Sequence, residues 1–327
     1  MQQTWWQAKW AAFARSLAFS NQPILVGPWR SEVGFEVLYW IPFLNRFREQ
    51  FKIPADRLIA IGRGGSAQWY GMNGTADLYE HIPVEMARQL NLLASQQTGS
   101  IKQHQPEGWE SHVCALTAKG LGIQKYRVLS PTWMYQLLTP WWQGRATEAF
   151  LDRYTLQPVR FGAPPLEADV LLPDKFVAMR WYTRATWPYR EDTVLWMRAL
   201  VEKVSSQMPV VLIDSFHADD HADMHLGPLP NVIRLSELAE MTPLNNLAVQ
   251  SSVIAKAQAY VGTYGGMSQL ALRLGVPTVA LYKEFGQTAP AHLTLSQTLA
   301  LKTGVPFIAC QTKDIDGPLS LVMGTRK

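Results

Sequence analysis

Short, uninterrupted apolar runs recur along the chain, each followed by a glycine-bearing or polar loop and then a helical pattern. Ile24-Leu25-Val26, Leu58-Ile59-Ala60-Ile61, Val177-Ala178-Met179, Val210-Val211-Leu212-Ile213, Tyr260-Val261 and Val279-Ala280-Leu281 are such runs. A strand with one face in water alternates apolar and polar residues, whereas a continuous apolar strand needs cover on both faces. Parallel strands joined by crossover helices supply that cover. The rhythm therefore predicts an α/β chain built on parallel sheets.

The first helix is predicted over Thr4 to Phe19, where Trp6, Trp10, Phe13 and Leu17 recur at three- and four-residue spacing. A strand over 23–28, a loop, a helix over about 35–51 and a strand over 57–62 follow. Helices are expected near 78–93 and 113–120, and a short strand over 126–129. The aromatic segment Trp133–Trp142 has no clear pattern; its rings either fill a core or stack on a ligand. Between Gln157 and Pro173 stand Pro158, Gly162, Pro164, Pro165 and Pro173, a density that breaks regular structure. The domain boundary is placed there, giving an N-terminal lobe over 1–165 and a C-terminal lobe over 170–327. In the second lobe, strands are expected over 175–180, 209–214, 231–235, 259–262 and 277–282, with helices over 191–207, 243–257 and 266–274.

A length of 327 residues suits two domains. A hydrophobic fraction of 47% provides two cores and excludes a disordered chain. The net charge of +4 is a mild excess. It fits an anionic small molecule or an acidic membrane surface, and without a basic stripe it argues against nucleic acid. The two cysteines, Cys114 and Cys310, form no metal spacing or disulfide framework. The first residues lack a signal-peptide pattern and no apolar run has the length of a membrane span. A soluble, cytoplasmic protein is expected. A second reading of residues 4–19 is an interfacial helix at the inner face of the membrane, with Lys9 and Arg15 flanking Trp rings.

The strongest local signal runs from Tyr260 to Tyr282: a strand, a Gly265-Gly266 turn, a helix, a Gly275 stop and a second strand. A helix N-terminus preceded by glycines presents N–H groups and a positive dipole end, a place for phosphate. Thr263 and Ser268 add hydroxyls; Tyr264 and Met267 complete the turn. An ordinary structural turn is the competing reading. Leu274-Gly275-Val276-Pro277-Thr278-Val279-Ala280-Leu281 resembles the C-terminal motif of the heptosyltransferase family, glycosyltransferase family 9. There a strand leads into D-[ST]-G-x-x-H, then a helix and L-G-x-P-[TV]-V-x-L. Tyr264 stands here in place of the family's Asp and Gln269 in place of its His.

The same family opens on G-D-x-x-x-x-x-P at a helix start. Here Gly34-Phe35-Glu36-Val37-Leu38-Tyr39-Trp40-Ile41-Pro42 keeps the acid-to-proline spacing, with one extra residue after the glycine and Glu for Asp. The resemblance implies a GT-B fold, two Rossmann-like lobes facing a cleft. It implies transfer of a sugar from a nucleoside-diphosphate sugar to a glycan, lipid or other hydroxyl acceptor, with inversion and without a metal. Glu36 is then the first choice for the base that deprotonates the acceptor, and Glu32 the second. No cofactor is expected beyond the nucleotide sugar as co-substrate, whose base the residues do not identify.

Arg180 and Arg184 follow the first strand of the second lobe, at a strand end where a guanidinium can hold a diphosphate; Arg180 is preferred, and Arg63 has a comparable place in the first lobe. Glu284, after the strand over 277–282, is a candidate for the donor's ribose or sugar hydroxyls by analogy of position. Three His and three Asp between His217 and His225 match no metal-ligand spacing and read as a polar loop. Two alternatives remain: a non-catalytic glycan or nucleotide binder on the same fold, and a sugar-nucleotide epimerase. A dinucleotide-dependent dehydrogenase is disfavoured, because no G-x-G-x-x-G follows the first strand.

Overall fold

The computed structural model describes residues 2–98, 102–157, 160–165, 170–183, 186–214, 223–287 and 289–324. The chain divides into two compact units, Met1–Phe161 and Gly162–Lys327, and the division falls inside the proline-bearing stretch.

In the first unit, helix α1 (Gln2–Ala18) precedes strand β1 (Ile24–Val26). A helical turn α2 (Val33–Phe35), a π-helical turn (Glu36–Trp40) and α3 (Ile41–Phe51) follow without a break. Strands β2 (Leu58–Gly62) and β3 (Gly74–Asp77) come next, then α4 (Val84–Thr98), α5 (Gly108–Gly120), β4 (Arg127–Leu129), α6 (Thr132–Trp142) and α7 (Glu148–Tyr154). The four strands are parallel in the order β3-β2-β1-β4. β3 carries no apolar run and lies at the sheet edge, where one neighbour is missing and the sequence signal weakens. The helix expected near 78–93 begins at Val84, because Pro83 follows a 3₁₀ turn over Leu78–Glu80. The aromatic segment is a helix despite Pro140 in its interior.

The apolar stripe of α1 packs within its own unit, with Trp10 and Leu17 buried and Trp6 and Phe13 partly buried. Trp10 lies 4.7 Å from Phe43 of α3, and Phe13 stacks on Trp133 of α6 at 4.6 Å. Trp6 meets the same Trp133 ring edge-on at 5.8 Å. This corrects the interfacial reading of residues 4–19 as far as that stripe is concerned: Trp10 and Leu17 are buried and have no surface to give a membrane.

The loop after β1 is fixed from several sides. The Gly27 N–H donates to Leu129 O of β4 and the Trp29 N–H to Ile61 O of β2. Gly27 has φ +115°, and a Cβ there would stand 2.6 Å from Ile61 O, so only glycine fits. Gln103 is fully buried: its Oε1 accepts from the Arg30 N–H at 3.0 Å, and its Nε2 donates to Pro28 O at 2.9 Å and to Glu110 Oε1 at 2.8 Å. Ser130, after β4, donates to Glu110 Oε2 at 3.3 Å. Burial, with the nearby Glu107 charge adding to it, pushes the Glu110 carboxyl up to about 7.

The second unit holds β5 (Val177–Arg180), α8 (Glu191–Ser205), β6 (Val210–Leu212), β7 (Val232–Arg234), α9 (Leu235–Leu238), α10 (Asn246–Lys256), β8 (Ala259–Thr263), α11 (Gly266–Arg273), β9 (Thr278–Tyr282), α12 (Pro290–Thr303), β10 (Phe307–Gln311) and α13 (Asp316–Gly324). All six strands are parallel, in the order β10-β9-β8-β5-β6-β7. Numbered from β5, this is the 3-2-1-4-5-6 order of the Rossmann fold, which reverses between β5 and β8. Val177, Met179, Val201, Val261 and Leu281 lie together in its core. The expected α/β class and the pair of Rossmann-like units are thus present. The sequence reading missed β3, β10 and the helices after β9.

Two outcomes test this packing. A Cβ at Gly262 would stand 2.3 Å from Arg180 O on the neighbouring strand. Gly262→Ala is expected to cost about 1–3 kcal/mol in denaturant unfolding; an unchanged midpoint would contradict the close approach. For Glu110, whose folded value is raised, the stabilising contribution is complete below its ordinary value near 4.5 and is lost as pH rises through about 7. Glu110→Gln removes that loss, of order ~3 kcal/mol. Its melting temperature should exceed the wild type's by several degrees at pH 8 and approach it near pH 5. Parallel pH profiles would refute the assignment.

Candidate functional site

Parallel sheets covered on both faces place their ligands beyond the carboxyl ends of the strands. In the first unit this edge gathers an unusual set of buried polar groups. Glu36 opens the π-helical turn and is fully buried, at 0% exposure. Its Oε1 accepts from Ser66 Oγ at 2.9 Å and from Tyr70 Oη at 2.8 Å. Burial, reinforced by the Glu36 charge, holds the Tyr70 hydroxyl well above its ordinary range, so it stays a proton donor. Ser66 Oγ also accepts the Arg63 N–H at 3.2 Å. The Arg63 guanidinium, itself buried, donates to Ser31 O at 2.8 Å. Ser31 Oγ accepts from Tyr135 Oη of α6 at 2.7 Å.

The result is a closed brace from the loop after β2 to the loop after β1. A π-helical turn accommodates one residue more than an α-helical one, and the extra residue between Gly34 and Pro42 falls in this stretch. The Glu36 carboxylate is thereby directed at Ser66 and Tyr70. Glu32, four residues earlier at the N-cap of α2, is only partly buried. Gly34 beside it is also partly exposed.

Gly64 and Gly65 follow Arg63 at φ +59° and +80°. Their N–H groups turn toward Asp77 at the end of β3, whose Oδ2 accepts from Gly65 at 2.8 Å. Two successive left-handed glycines make an anion cradle, and here the chain's own carboxylate fills it. Burial raises Asp77 to about 6, against the pull of these N–H bonds. Arg63 and this loop are therefore built into the unit's interior, and the expectation that Arg63 offers a cation to a ligand is corrected.

In the second unit, β5 and β8 flank the point where the strand order reverses. Thr263 Oγ1, at the end of β8, accepts from the Tyr182 N–H at 3.3 Å and lies 3.4 Å from Tyr182 O, tying the two strand ends together. Gly265 is extended and leads into α11. Ser268 Oγ accepts the Gly265 N–H at 3.1 Å and donates to Gly265 O at 2.8 Å, so its hydroxyl caps the helix. Gly266 is partly exposed and Met267 is buried. The first-turn N–H groups of an α-helix lack intrahelical acceptors, and those of α11 lie at the carboxyl edge beside the reversal point. The Lys283 and Glu284 N–H groups both donate to Thr186 O, at 2.9 and 3.1 Å, which draws the loop after β9 to the same edge. Glu284 is exposed there.

Three expectations change. The Tyr264 side chain packs with Leu272, Ala280, Leu299, Val305 and Phe307 in the core, and its N–H bonds to Leu281 O at 2.7 Å. It is a packing residue, because its position alternates inward from the strand end. Arg180 is 9% exposed and already held: Nε lies 3.3 Å from Asp223 Oδ1 and Nη1 2.6 Å from Gln250 Oε1. A guanidinium withdrawn from water requires such partners, so Arg180 is not an open diphosphate clamp. Asp223, which the sequence placed in a solvated loop, supplies that compensation. Arg184 lies outside the described residues, as do His217, Asp219, Asp220 and His221; among the described residues no group of His, Cys, Asp and Glu could hold a metal ion.

No protein-family model matches the chain, and no curated protein matches it in sequence. Among solved structures, it is similar to the E. coli ADP-heptose LPS heptosyltransferase II, with 14% identity, 92% of this chain and 98% of that one covered, and a TM-score of 0.47. It is similar to TibC of enterotoxigenic E. coli, a dodecameric iron-containing heptosyltransferase solved with ADP-D-β-D-heptose, at 14% identity and a TM-score of 0.41. The match covers 81% of this chain and 59% of TibC, so the chain spans less than two thirds of that protein's length. A third is the UDP-GlcNAc 2-epimerase of Methanocaldococcus jannaschii, at 9% identity, 93% coverage of each chain and a TM-score of 0.39.

Proposed function

We propose that the protein is a glycosyltransferase that moves a sugar from a nucleoside-diphosphate sugar to a hydroxyl of a glycan or lipid-linked acceptor. The observation that carries this reading is the second unit's Rossmann strand order, with the Gly265–Gly266 turn and the start of α11 at the point where that order reverses. The diphosphate sits on the first-turn N–H groups of Gly266 and Met267, where the helix dipole stabilises the departing anion. Glu284, exposed after β9, takes donor hydroxyls.

In the first unit, burial reverses the order of the two candidate bases. A general base must come within hydrogen-bond reach of the acceptor hydroxyl, and Glu36 is enclosed by Ser66 and Tyr70. Glu32 is the base in this reading, and Glu36 holds the loop that carries it. Direct displacement by the activated hydroxyl inverts the anomeric centre, and the helix N-terminus takes the part that a metal would otherwise play. A non-catalytic nucleotide or glycan binder is the second reading. It is favoured by Tyr264 and Gln269, both buried where the resembled motif has Asp and His.

The test is thermal stabilisation by UDP, GDP, ADP, TDP and CMP in EDTA, followed by turnover of the matching sugar nucleotide with acceptor. A nucleotide at a hundred times its dissociation constant should stabilise the protein by ~2.7 kcal/mol. Glu32→Gln should lower kcat by at least about a hundredfold while nucleotide affinity stays within about threefold. Glu36→Ala should instead lower stability by about 1–3 kcal/mol, through the hydroxyls it leaves unsatisfied. Stabilisation without turnover would transfer the assignment to a non-catalytic nucleotide binder; no stabilisation by any nucleotide would end the transferase reading and the phosphate site at Gly265–Ser268, and leave the glycan binder.

A further inference from the structure

Ahead of α5, residues 102–107 are pinned to the loop after β1. The His104 N–H donates to Lys102 O at 2.9 Å, closing a three-residue turn centred on Gln103. The Gln103 amide is buried, and its three hydrogen bonds reach Arg30, Pro28 and Glu110. Lys102 and His104, on either side of it, are partly exposed. Gln136 Nε2 of α6 donates to His104 O at 2.6 Å and fixes the turn from a second element.

Both flanking side chains rest on aromatic rings near Glu32. Lys102 Nζ stands 4.5 Å from the centroid of the Phe35 ring, an attraction that holds an ammonium in its charged form. The His104 ring lies 5.1 Å from that of Tyr135, and Phe35 and Tyr135 are 5.6 Å apart and buried. Glu32 caps the helical turn whose last residue is Phe35. Tyr135 bonds Ser31, the residue before Glu32, at 2.7 Å, and its hydroxyl feels the Glu32 charge. Ammonium, imidazole and carboxylate thus surround one pair of rings. The other charged groups here are committed elsewhere. Arg30 pairs with Glu107 at 2.7 Å, Arg63 donates to Ser31 O, and Glu36 is closed by Ser66 and Tyr70. Burial, with the Lys102 charge adding to it, lowers His104 from its ordinary range, so near neutral pH the imidazole adds no second positive charge.

We propose that Lys102 is a positioning residue for the base: its ammonium, fixed over Phe35 by the turn at Gln103, is the counter-charge that keeps the Glu32 carboxylate ionised and ready to take the acceptor's proton. This rests on the reading of Glu32 as the base. A cation beside a carboxylate favours its charged form, and a base must be ionised before the acceptor arrives.

An NMR titration of the full chain, ¹³C-labelled at the Glu carboxyl and His ring carbons, tests the pairing without any activity readout; the Glu32→Gln protein assigns the Glu32 signal. Lys102→Gln should raise the Glu32 midpoint by at least about half a pH unit. The His104 midpoint should rise as well, because the same ammonium disfavours the imidazolium. Lys102→Arg should restore both. Lys119→Gln removes one positive charge from the end of α5 and should move neither by more than about 0.2 pH units at physiological salt. In turnover, the acid limb of kcat/KM for Lys102→Gln should move upward with the Glu32 midpoint, while nucleotide affinity stays within about twofold. An unmoved Glu32 midpoint in Lys102→Gln overturns the proposal, whatever the turnover, and so does an equal movement in Lys119→Gln. A raised midpoint with an unmoved acid limb shows instead that Glu32 is not the base, and the positioning role falls with that assignment.

Discussion

A parallel sheet covered by helices on both faces has one place left for polar chemistry, the loops beyond its strand ends. Both units obey this constraint, and the local arrangement follows from it. In the first unit the loop after β1 must leave the sheet between two neighbours, and its backbone bonds to both. Ser66 and Tyr70 then meet at the Glu36 carboxyl, and Arg63 ties Ser66 to Ser31. A polar group so far from water needs hydrogen-bond donors in place of its hydration. The brace is thus a condition of burying Glu36, and it leaves Glu32 as the carboxylate nearer to solvent.

The second unit meets the same constraint with less charge. Its loop after β8 is closed by Thr263 and Ser268 bonding to backbone, and Arg180, buried at the end of β5, is balanced by Asp223 and Gln250. What faces outward is main chain: the start of α11, with Gly266 at its first position.

Much of the fold was legible because it rests on local pattern. Each central strand is a continuous apolar run, and Pro and Gly mark where elements end. The features missed have physical causes in common. β3 and β10 are edge strands, less enclosed than their neighbours, and their residues are partly exposed. The helix over Thr132–Trp142 contains a proline that reads as a breaker. The site was legible only in outline. The sequence singled out Glu36, Arg180 and the Gly265–Gly266 turn, and all three lie at the carboxyl edges of their sheets. It did not indicate that Glu36 and Arg180 would already be occupied by partners from distant parts of the chain.

The sequence by itself determined the α/β class, the parallel strands, the two-part division and the positions of the strand-end loops, since these follow from periodicity and turn chemistry over a few residues. Only the tertiary structure decided which polar side chains remain available to a ligand. Glu36 is closed by residues thirty or more positions away, and Arg180 by residues forty-three and seventy away. Tyr264 joins a core with residues of four later elements, α11, β9, α12 and β10. Burial and compensation of charge depend on what the folded chain brings from afar, and no local spacing encodes it.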